Sequence, residues 1–208
     1  MQYPISATQG KPLTMSIHFA RTSPVNEHFI GLTSIIEGFA ADDTPALYTE
    51  SKLDLDTDGI NNGQIIEPNP GHLGGSGWDL DHQWKTSYDQ AGSWLCALEI
   101  PYFVLPGGFA ARHGISLGMV GTVLFHDEHV HAVYADSGPS TKYGEASVKV
   151  HESFGITIVK NGRIRNIGID SGVNILMYLG TQVAKPNTHF TIDQINQIAD
   201  PLFNKFST

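Results

Sequence analysis

The sequence predicts a mainly β domain with long loops and one C-terminal helix. The 22 glycines and 11 prolines among its 208 residues divide the chain into short segments. Many of these segments are rich in β-branched residues, and several alternate between apolar and polar positions, as strands do. Only the end of the chain changes to a helical period. Apolar residues are spread evenly, so we expect one domain that spans residues 1–208.

Charge and composition exclude several classes of protein. Twelve basic and 21 acidic residues give a net charge of -9, which argues against a nucleic-acid partner and suits a cationic one. No apolar run approaches the roughly 20 residues that cross a bilayer, so no membrane partner is expected. Residues 1–10 lack the pattern of a signal peptide. Cys96, the only cysteine, is expected to be a small buried residue. We also expect the protein to be a monomer.

The first half of the chain predicts an acidic strand. A short strand is expected at residues 15–20, an apolar segment at 29–39 fits no single element, and a longer strand is expected at 47–59. In this longer strand the period is two, so three acids share one face: Asp54, Asp56 and Asp58. Since like charges on one face repel, these acids favour a cationic ligand.

The spacing of these acids resembles the start of an EF-hand calcium loop. That loop would need a glutamate at its twelfth position, where this chain has Ile65, and helices on both sides, where this chain alternates as strands do. We therefore expect no EF-hand. Another kind of metal site, an acidic wall of a cleft and a solvated edge strand stay open as alternatives, and our predicted site contains no metal.

A polar, glycine-rich segment follows at residues 61–90 and is too long for a simple connection. It carries two tryptophans and two further acids: Trp78, Asp79, Asp81 and Trp84. Indole rings stack on the apolar faces of sugars, and carboxylates accept hydrogen bonds from sugar hydroxyls. The segment therefore suits a carbohydrate, although the tryptophans would also serve to pin the loop to the body of the protein.

Regular structure resumes after this loop. A strand bracketed by prolines is expected at 99–106, at least partly at a sheet edge, and a hairpin is expected from strands at 117–125 and 129–135. An Asn-Gly turn predicts another hairpin at 157–165, and residues 173–179 predict a buried strand. Three histidines of the first hairpin are interpreted as solvated residues near its turn rather than as a metal cluster: His126, His129 and His131.

The segment at residues 129–147 is the strongest candidate for catalysis. It predicts a strand that delivers Asp136 to its end, a loop, and then Gly144, which places Glu145 at the start of the next element. Two carboxyl groups held at the two ends of one loop suit general acid and base chemistry. The alternative is structural, with Asp136 in a local turn and Glu145 as an acid at the start of an element.

The end of the chain predicts a helix. Thr191 suits its N-cap, with Gln194 at the matching position of a capping box. Apolar residues with helical spacing then line one face before Pro201: Ile192, Ile195, Ile198 and Ala199.

Three motifs, in order, resemble those of glycoside hydrolase family 75, the endo-chitosanases. They are the acidic segment at 53–59, the strand and hairpin that begin at 101–106, and the pair of segments at 135–139 and 144–147. The resemblance covers residues 46–180. The chain lacks the cysteines common in fungal members, and in this it resembles a bacterial branch of the family. It implies a secreted, endo-acting, inverting hydrolase of β-1,4 bonds in chitosan, with no cofactor. It also implies a six-stranded β-barrel of the double-psi kind.

The resemblance matches Asp136 and Glu145 to the family's essential aspartate and glutamate, and we expect Glu145 as general acid and Asp136 as general base. Chitosan carries protonated amines, so acidic and aromatic residues are expected to bind it: Asp54, Asp56, Asp58, Trp78, Asp79, Asp81, Trp84 and Tyr102. Two other classes stay open. One is a non-catalytic sugar-binding or cell-wall-associated module, and the other is a calcium-dependent protein built on the three aspartates of the acidic strand.

Overall fold

Strands dominate the structure, and only the last element is a helix of several turns. A computed structural model of the chain describes residues 17–59, 85–90, 95–160, 163–164, 166, 168–183 and 189–207. The strands are β1 (Arg21–Pro24), β2 (Leu32–Phe39), β3 (Pro45–Asp56), β4 (Tyr102–Pro106), β5 (Val120–Phe125), β6 (Glu128–Gly138), β7 (Glu145–Ser147), β8 (Val159–Lys160), β9 (Arg163–Ile164) and β10 (Gly168–Tyr178). The helices are α1 (Ser87–Gln90), α2 (Phe109–Arg112), α3 (Val148–Ser153) and α4 (Ile192–Phe203).

Six of these strands close into a barrel. Its order is β3, β10, β5, β6, β4 and β7, and β7 pairs back onto β3. The pairs β3–β7 and β4–β6 are parallel, and the other four are antiparallel. The prediction of a mainly β fold with a barrel and a C-terminal helix is therefore confirmed, while its double-psi connectivity stays a prediction.

Strand β3 changes partner along its length, and this change closes the barrel. Residues 45–51 pair with β2, which with β1 extends the sheet outside the barrel, whereas residues 54–56 pair with β7. The end of β3 that carries Asp54 and Asp56 is thus the point at which the last barrel strand docks. The alternating acids predicted for this segment stand at the closure of the barrel.

Strand β4 is buried on both faces. In β4 the residues alternate between two apolar clusters, with Phe103 and Leu105 in one, and Tyr102 and Val104 in the other. Strand β10, predicted as buried, divides in the same way between the two clusters. The second cluster also contains the buried face of helix α4. Apolar burial on both faces is the main favourable contribution to the stability of such a strand.

Several local predictions are confirmed. Helix α4 begins after Thr191, whose side chain accepts a hydrogen bond from the Gln194 amide, and both halves of the capping box form. The hairpin of β5 and β6 turns at His126, and β8 pairs with β9 in antiparallel register. The Asn-Gly pair predicted to form the turn between β8 and β9 lies outside the described residues. Cys96 is buried.

Other local predictions are wrong. Of the strand expected at 15–20, the described residues 17–20 form only a single bridge, from Ile17 to Ser207, and the first strand of the described part begins at Arg21. Strand β4 lies between β6 and β7 rather than at an edge, because barrel closure gives each strand two neighbours. Among the described residues, no helix has the length and apolar character needed to cross a membrane.

The expected solvated histidines divide into different environments. His126 is exposed in the turn, but His131 is buried, and its ring nitrogens contact Thr122 Oγ1 at 2.8 Å and Asp200 Oδ1 at 2.9 Å. Burial lowers the pKa of His131. Because α4 packs over this strand, His131 connects the helix to the barrel, which the sequence of the hairpin did not indicate.

Candidate active site

Four residues on four neighbouring strands of the barrel form one continuous row of directly paired positions. Asp136 on β6 pairs with Val104 on β4, Val104 pairs with Glu145 on β7, and Glu145 pairs with Asp54 on β3. Side chains of directly paired residues project from the same face of a sheet. We call Asp136, Val104, Glu145 and Asp54 the acidic row. It places three carboxyl groups on one face, with Val104 between Asp136 and Glu145.

Gly144 sets the start of β7 against β3. Its φ of 85° is left-handed, and an added Cβ would lie 2.1 Å from the carbonyl oxygen of Lys52. The Gly144 carbonyl accepts a hydrogen bond of 2.8 Å from the Asp54 amide. Only glycine fits this approach, and the next residue, Glu145, is thereby placed opposite Asp54. The prediction that Gly144 places Glu145 at the start of an element is confirmed.

The Glu145 side chain points across β4 towards the end of β6. A Cβ added at Gly138 would lie 2.7 Å from Glu145 Oε2. Gly138 is the last residue of β6, two positions after Asp136. The absence of a side chain at Gly138 therefore leaves the space that the Glu145 carboxylate occupies.

Asp136 is held by donors from two segments. Its Oδ1 atom accepts hydrogen bonds from the Ser87 amide at 2.7 Å, the Ser87 hydroxyl at 2.5 Å and the Ser137 amide at 2.8 Å. The residue is buried, with 8% of its surface exposed. Three donors on one oxygen fix the orientation of the carboxylate and leave Oδ2 to meet other groups.

Two further aspartates lie beside Asp136. Carboxyl oxygens of Asp56, Asp58 and Asp136 all lie within 4.8 Å of one another, and we call this set the aspartate cluster. The Asp58 amide donates a hydrogen bond of 2.7 Å to Asp56 Oδ1. The hydroxyl of the fully buried Tyr102 donates one of 3.1 Å to the Asp58 carbonyl. The turn after β3 is thus tied to β4 and β6.

Two members of the aspartate cluster, Asp56 and Asp58, have pKa values raised into the neutral range. Burial, followed by the charges of Asp136 and Glu145, raises the pKa of Asp56 to about 7. Burial, followed by the charges of Asp56 and Asp136, raises the pKa of Asp58 to about 8. Burial, followed by the charges of Asp56 and Asp58, also raises the pKa of Tyr102. Carboxyl groups this close cannot all ionise without a compensating cation, so the cluster is a source of protons.

The same cluster is the set of described residues that could hold a metal ion. Carboxylate oxygens are ligands that hard divalent cations prefer, but calcium takes roughly six to eight of them. Asp54 does not belong to the set, and β3 ends at Asp56, so Asp58 lies in the turn after the strand. The prediction that Asp54, Asp56 and Asp58 share one face of a strand that reaches residue 59 is therefore wrong for Asp58. The calcium-dependent alternative stays a prediction.

Two lysines contact the other end of the acidic row. Lys142 Nζ lies 2.7 Å from Glu145 Oε1 and 2.9 Å from Asp54 Oδ2, and Lys52 Nζ contacts the same oxygen of Asp54. The Asp54 end of the row therefore carries compensating positive charge. The proton-retaining acids lie at the Asp136 end.

The structure brings together six of the predicted site residues: Asp54, Asp56, Asp58, Tyr102, Asp136 and Glu145. The other four lie outside the described residues: Trp78, Asp79, Asp81 and Trp84. Sequence reasoning missed Ser87, Val104 and the two lysines. Lys52 lies two positions before Asp54 on the same strand, so the strand period could have predicted their contact. Ser87 lies 49 positions before Asp136, and no local pattern predicts their contact.

A search with protein-family models finds no match to this chain, and a search of curated proteins finds none either.

Proposed function

We propose that this protein is an endo-acting glycoside hydrolase that cleaves β-1,4 bonds of chitosan with inversion, using Asp136 and Glu145. The observation that carries the proposal is their pairing with Val104 from its two sides. Both side chains project from one face, and both are held by neighbouring groups. Two fixed carboxyl groups that face one substrate are what glycoside hydrolysis requires.

The spacing of the strands favours inversion over retention. Adjacent strands are about 4.8 Å apart, so the α-carbons of Asp136 and Glu145, which are two strands apart, are separated by about 10 Å. Inverting enzymes hold their carboxyl groups about 6.5–9.5 Å apart to leave room for water, and retaining enzymes about 5–5.5 Å. Side chains two strands apart meet the first requirement more readily than the second.

The surroundings of the two residues favour a role assignment opposite to the one expected from the sequence. The Lys142 ammonium compensates a negative charge on Glu145, which suits the general base. The protonated carboxyl of Asp58 lies beside Asp136, so a proton is available at that end of the row. We therefore assign Glu145 as general base and Asp136, supplied from the aspartate cluster, as general acid.

The charge distribution supports a cationic substrate. The chain carries a net charge of -9, and the acid-rich end of the site is built from Asp56, Asp58 and Asp136. A glucosamine polymer with protonated amines is attracted to a protein of this net charge, and salt should weaken the attraction. A protonated amine bound beside the three aspartates would favour the ionised forms of their carboxyl groups. Trp78 and Trp84, which lie outside the described residues, are proposed to stack on sugar rings, as the sequence predicts. The proposal includes secretion and action as a monomer without a cofactor.

One experiment tests class and stereochemistry together. The protein is incubated with chitosan, chitin and carboxymethylcellulose, and the anomeric ratio of the first products is followed by NMR. We expect hydrolysis of chitosan alone, with the α-anomer formed first. Early β-anomer would contradict inversion, and cleavage of another polymer would contradict the substrate. Binding to chitosan without release of reducing ends would favour the non-catalytic sugar-binding module.

A further inference from the structure

The backbone of Lys142 is fixed on both sides although it lies in the loop between β6 and β7. The Ile30 amide donates a hydrogen bond of 2.9 Å to the Thr141 carbonyl, and the Tyr143 amide donates one of 2.9 Å to the Ile30 carbonyl. Ile30 and Lys142 thus form a parallel bridge. Because its neighbours on both sides are bound to Ile30, the Lys142 backbone has a defined direction.

The Lys142 ammonium joins two strands of the acidic row. It contacts Glu145 on β7 and Asp54 on β3, the two residues that pair directly where the barrel closes. The side chains are sheltered, with 31% of Lys142 and 18% of Glu145 exposed. An ion pair at this depth is screened less by water and salt than one on the open surface.

Lys52 shares the charge of Asp54 with Lys142. Lys52 Nζ contacts the Asp54 oxygen that Lys142 also contacts. Asp54 therefore has a cation of its own and serves as an anchor that holds Lys142 in place. The positive charge of Lys142 is then left to act mainly on Glu145, whose Oε1 is its nearest partner.

We infer that Lys142 is a positioning residue for hydrolysis, which holds the Glu145 carboxylate in the acidic row. The inference rests on the proposed function, because Glu145 needs this orientation to act as the base. It adds a role for a residue that is not one of the two catalytic carboxylates. It also gives Asp54, whose charge Lys52 already compensates, a role as the anchor of Lys142 opposite Glu145.

The test compares Lys142→Met and Lys142→Arg with Lys205→Met. Lys205 pairs with Asp42 at 2.9 Å on the surface and makes no contact with the acidic row, so it is a matched control. On chitosan, Lys142→Met should lower kcat about 100-fold and change KM by less than about threefold, because misplacement of a reacting group costs rate rather than binding. Lys142→Arg should recover most of the rate, and Lys205→Met should match the wild type.

Unchanged kcat in Lys142→Met would overturn the inference, and so would a loss confined to KM, which would indicate a substrate contact instead. Crystal structures of the wild type and of Lys142→Met provide a second readout that needs no activity. We expect the Glu145 carboxylate to leave its position beside Gly138 in the variant. An unmoved carboxylate would contradict positioning even if chitosan is cleaved, whereas a wild type that cleaves no chitosan would refute only the proposed function.

Discussion

Asp136 and Glu145 pair with the same residue, Val104, from the two sides of strand β4. They are nine positions apart in the chain, and the loop between them passes from one neighbour of β4 to the other. The distance between the two carboxyl groups is therefore determined by strand spacing and register. The length of the loop has little influence on it, because both of its ends are held in the sheet.

The first prediction concerns the catalytic pair. Glu145→Gln and Asp136→Asn keep the shape of each side chain but remove its ability to exchange a proton. We expect each change to lower the rate of chitosan cleavage by at least about 100-fold, measured by reducing-end release. Glu152→Gln, on an exposed face of α3, is the control and should retain full activity. Full activity in Glu145→Gln would refute the proposed mechanism.

The second prediction concerns stability and pH. The pKa values of Asp56 and Asp58 are raised to about 7 and about 8, so the folded protein retains protons that the unfolded chain, with a usual value of 3.8, releases. The free energy of unfolding should therefore fall as pH rises from about 4 to about 8, and level off above that. Thermal melting across this range measures it.

The substitution Asp58→Asn removes the buried carboxyl group whose ionisation lowers the free energy of unfolding at high pH. Asp58→Asn should be more stable than the wild type at pH 8 by about 1 kcal/mol or more, roughly 2–4 °C in melting temperature, and the gain should shrink towards pH 4. Asp193→Asn, exposed on α4, serves as the control and should follow the wild type. Parallel curves for Asp58→Asn and the wild type at every pH would be evidence against the raised pKa values.

The third prediction concerns Gly144. In Gly144→Ala the new methyl group meets the Lys52 carbonyl, so we expect a loss of more than about 2 kcal/mol in unfolding free energy and a displaced Glu145. Gly155→Ala is a matched control, because Gly155 has a similar φ of 69° with no atom within 4 Å of the added Cβ. It should cost only about 1 kcal/mol. Equal losses in urea unfolding would show that backbone strain alone matters at Gly144.

The fourth prediction concerns Ser87. Its hydroxyl and amide both bind Asp136 Oδ1, and Ser87→Ala removes only the hydroxyl. We expect a loss of about 1.5–3 kcal/mol in stability, typical of a hydrogen bond to a charged group, and a lower kcat on chitosan. Ser153→Ala removes a hydroxyl that bonds within α3 and should be nearly neutral. Unchanged stability and rate in Ser87→Ala would show that the Ser87 and Ser137 amides hold Asp136 without the hydroxyl.

The sequence by itself determined the features that depend on neighbouring residues. Alternation placed Asp54 and Asp56 on one face of β3, Gly144 marked the start of β7, and Thr191 with Gln194 predicted the start of α4. These features follow from backbone period, glycine geometry and capping, which act over a few residues. The candidate pair Asp136 and Glu145 was found in the same way, with support from a resemblance.

Tertiary structure alone decided how these features combine. The register across β6, β4, β7 and β3 aligned the acidic row, and the chain fold brought Ser87 to Asp136 and Lys142 to Glu145. Cross-strand register and burial depend on residues far apart in the chain, so no local pattern predicts them. The raised pKa values of the aspartate cluster have the same origin, because desolvation and the approach of like charges exist only in the folded protein.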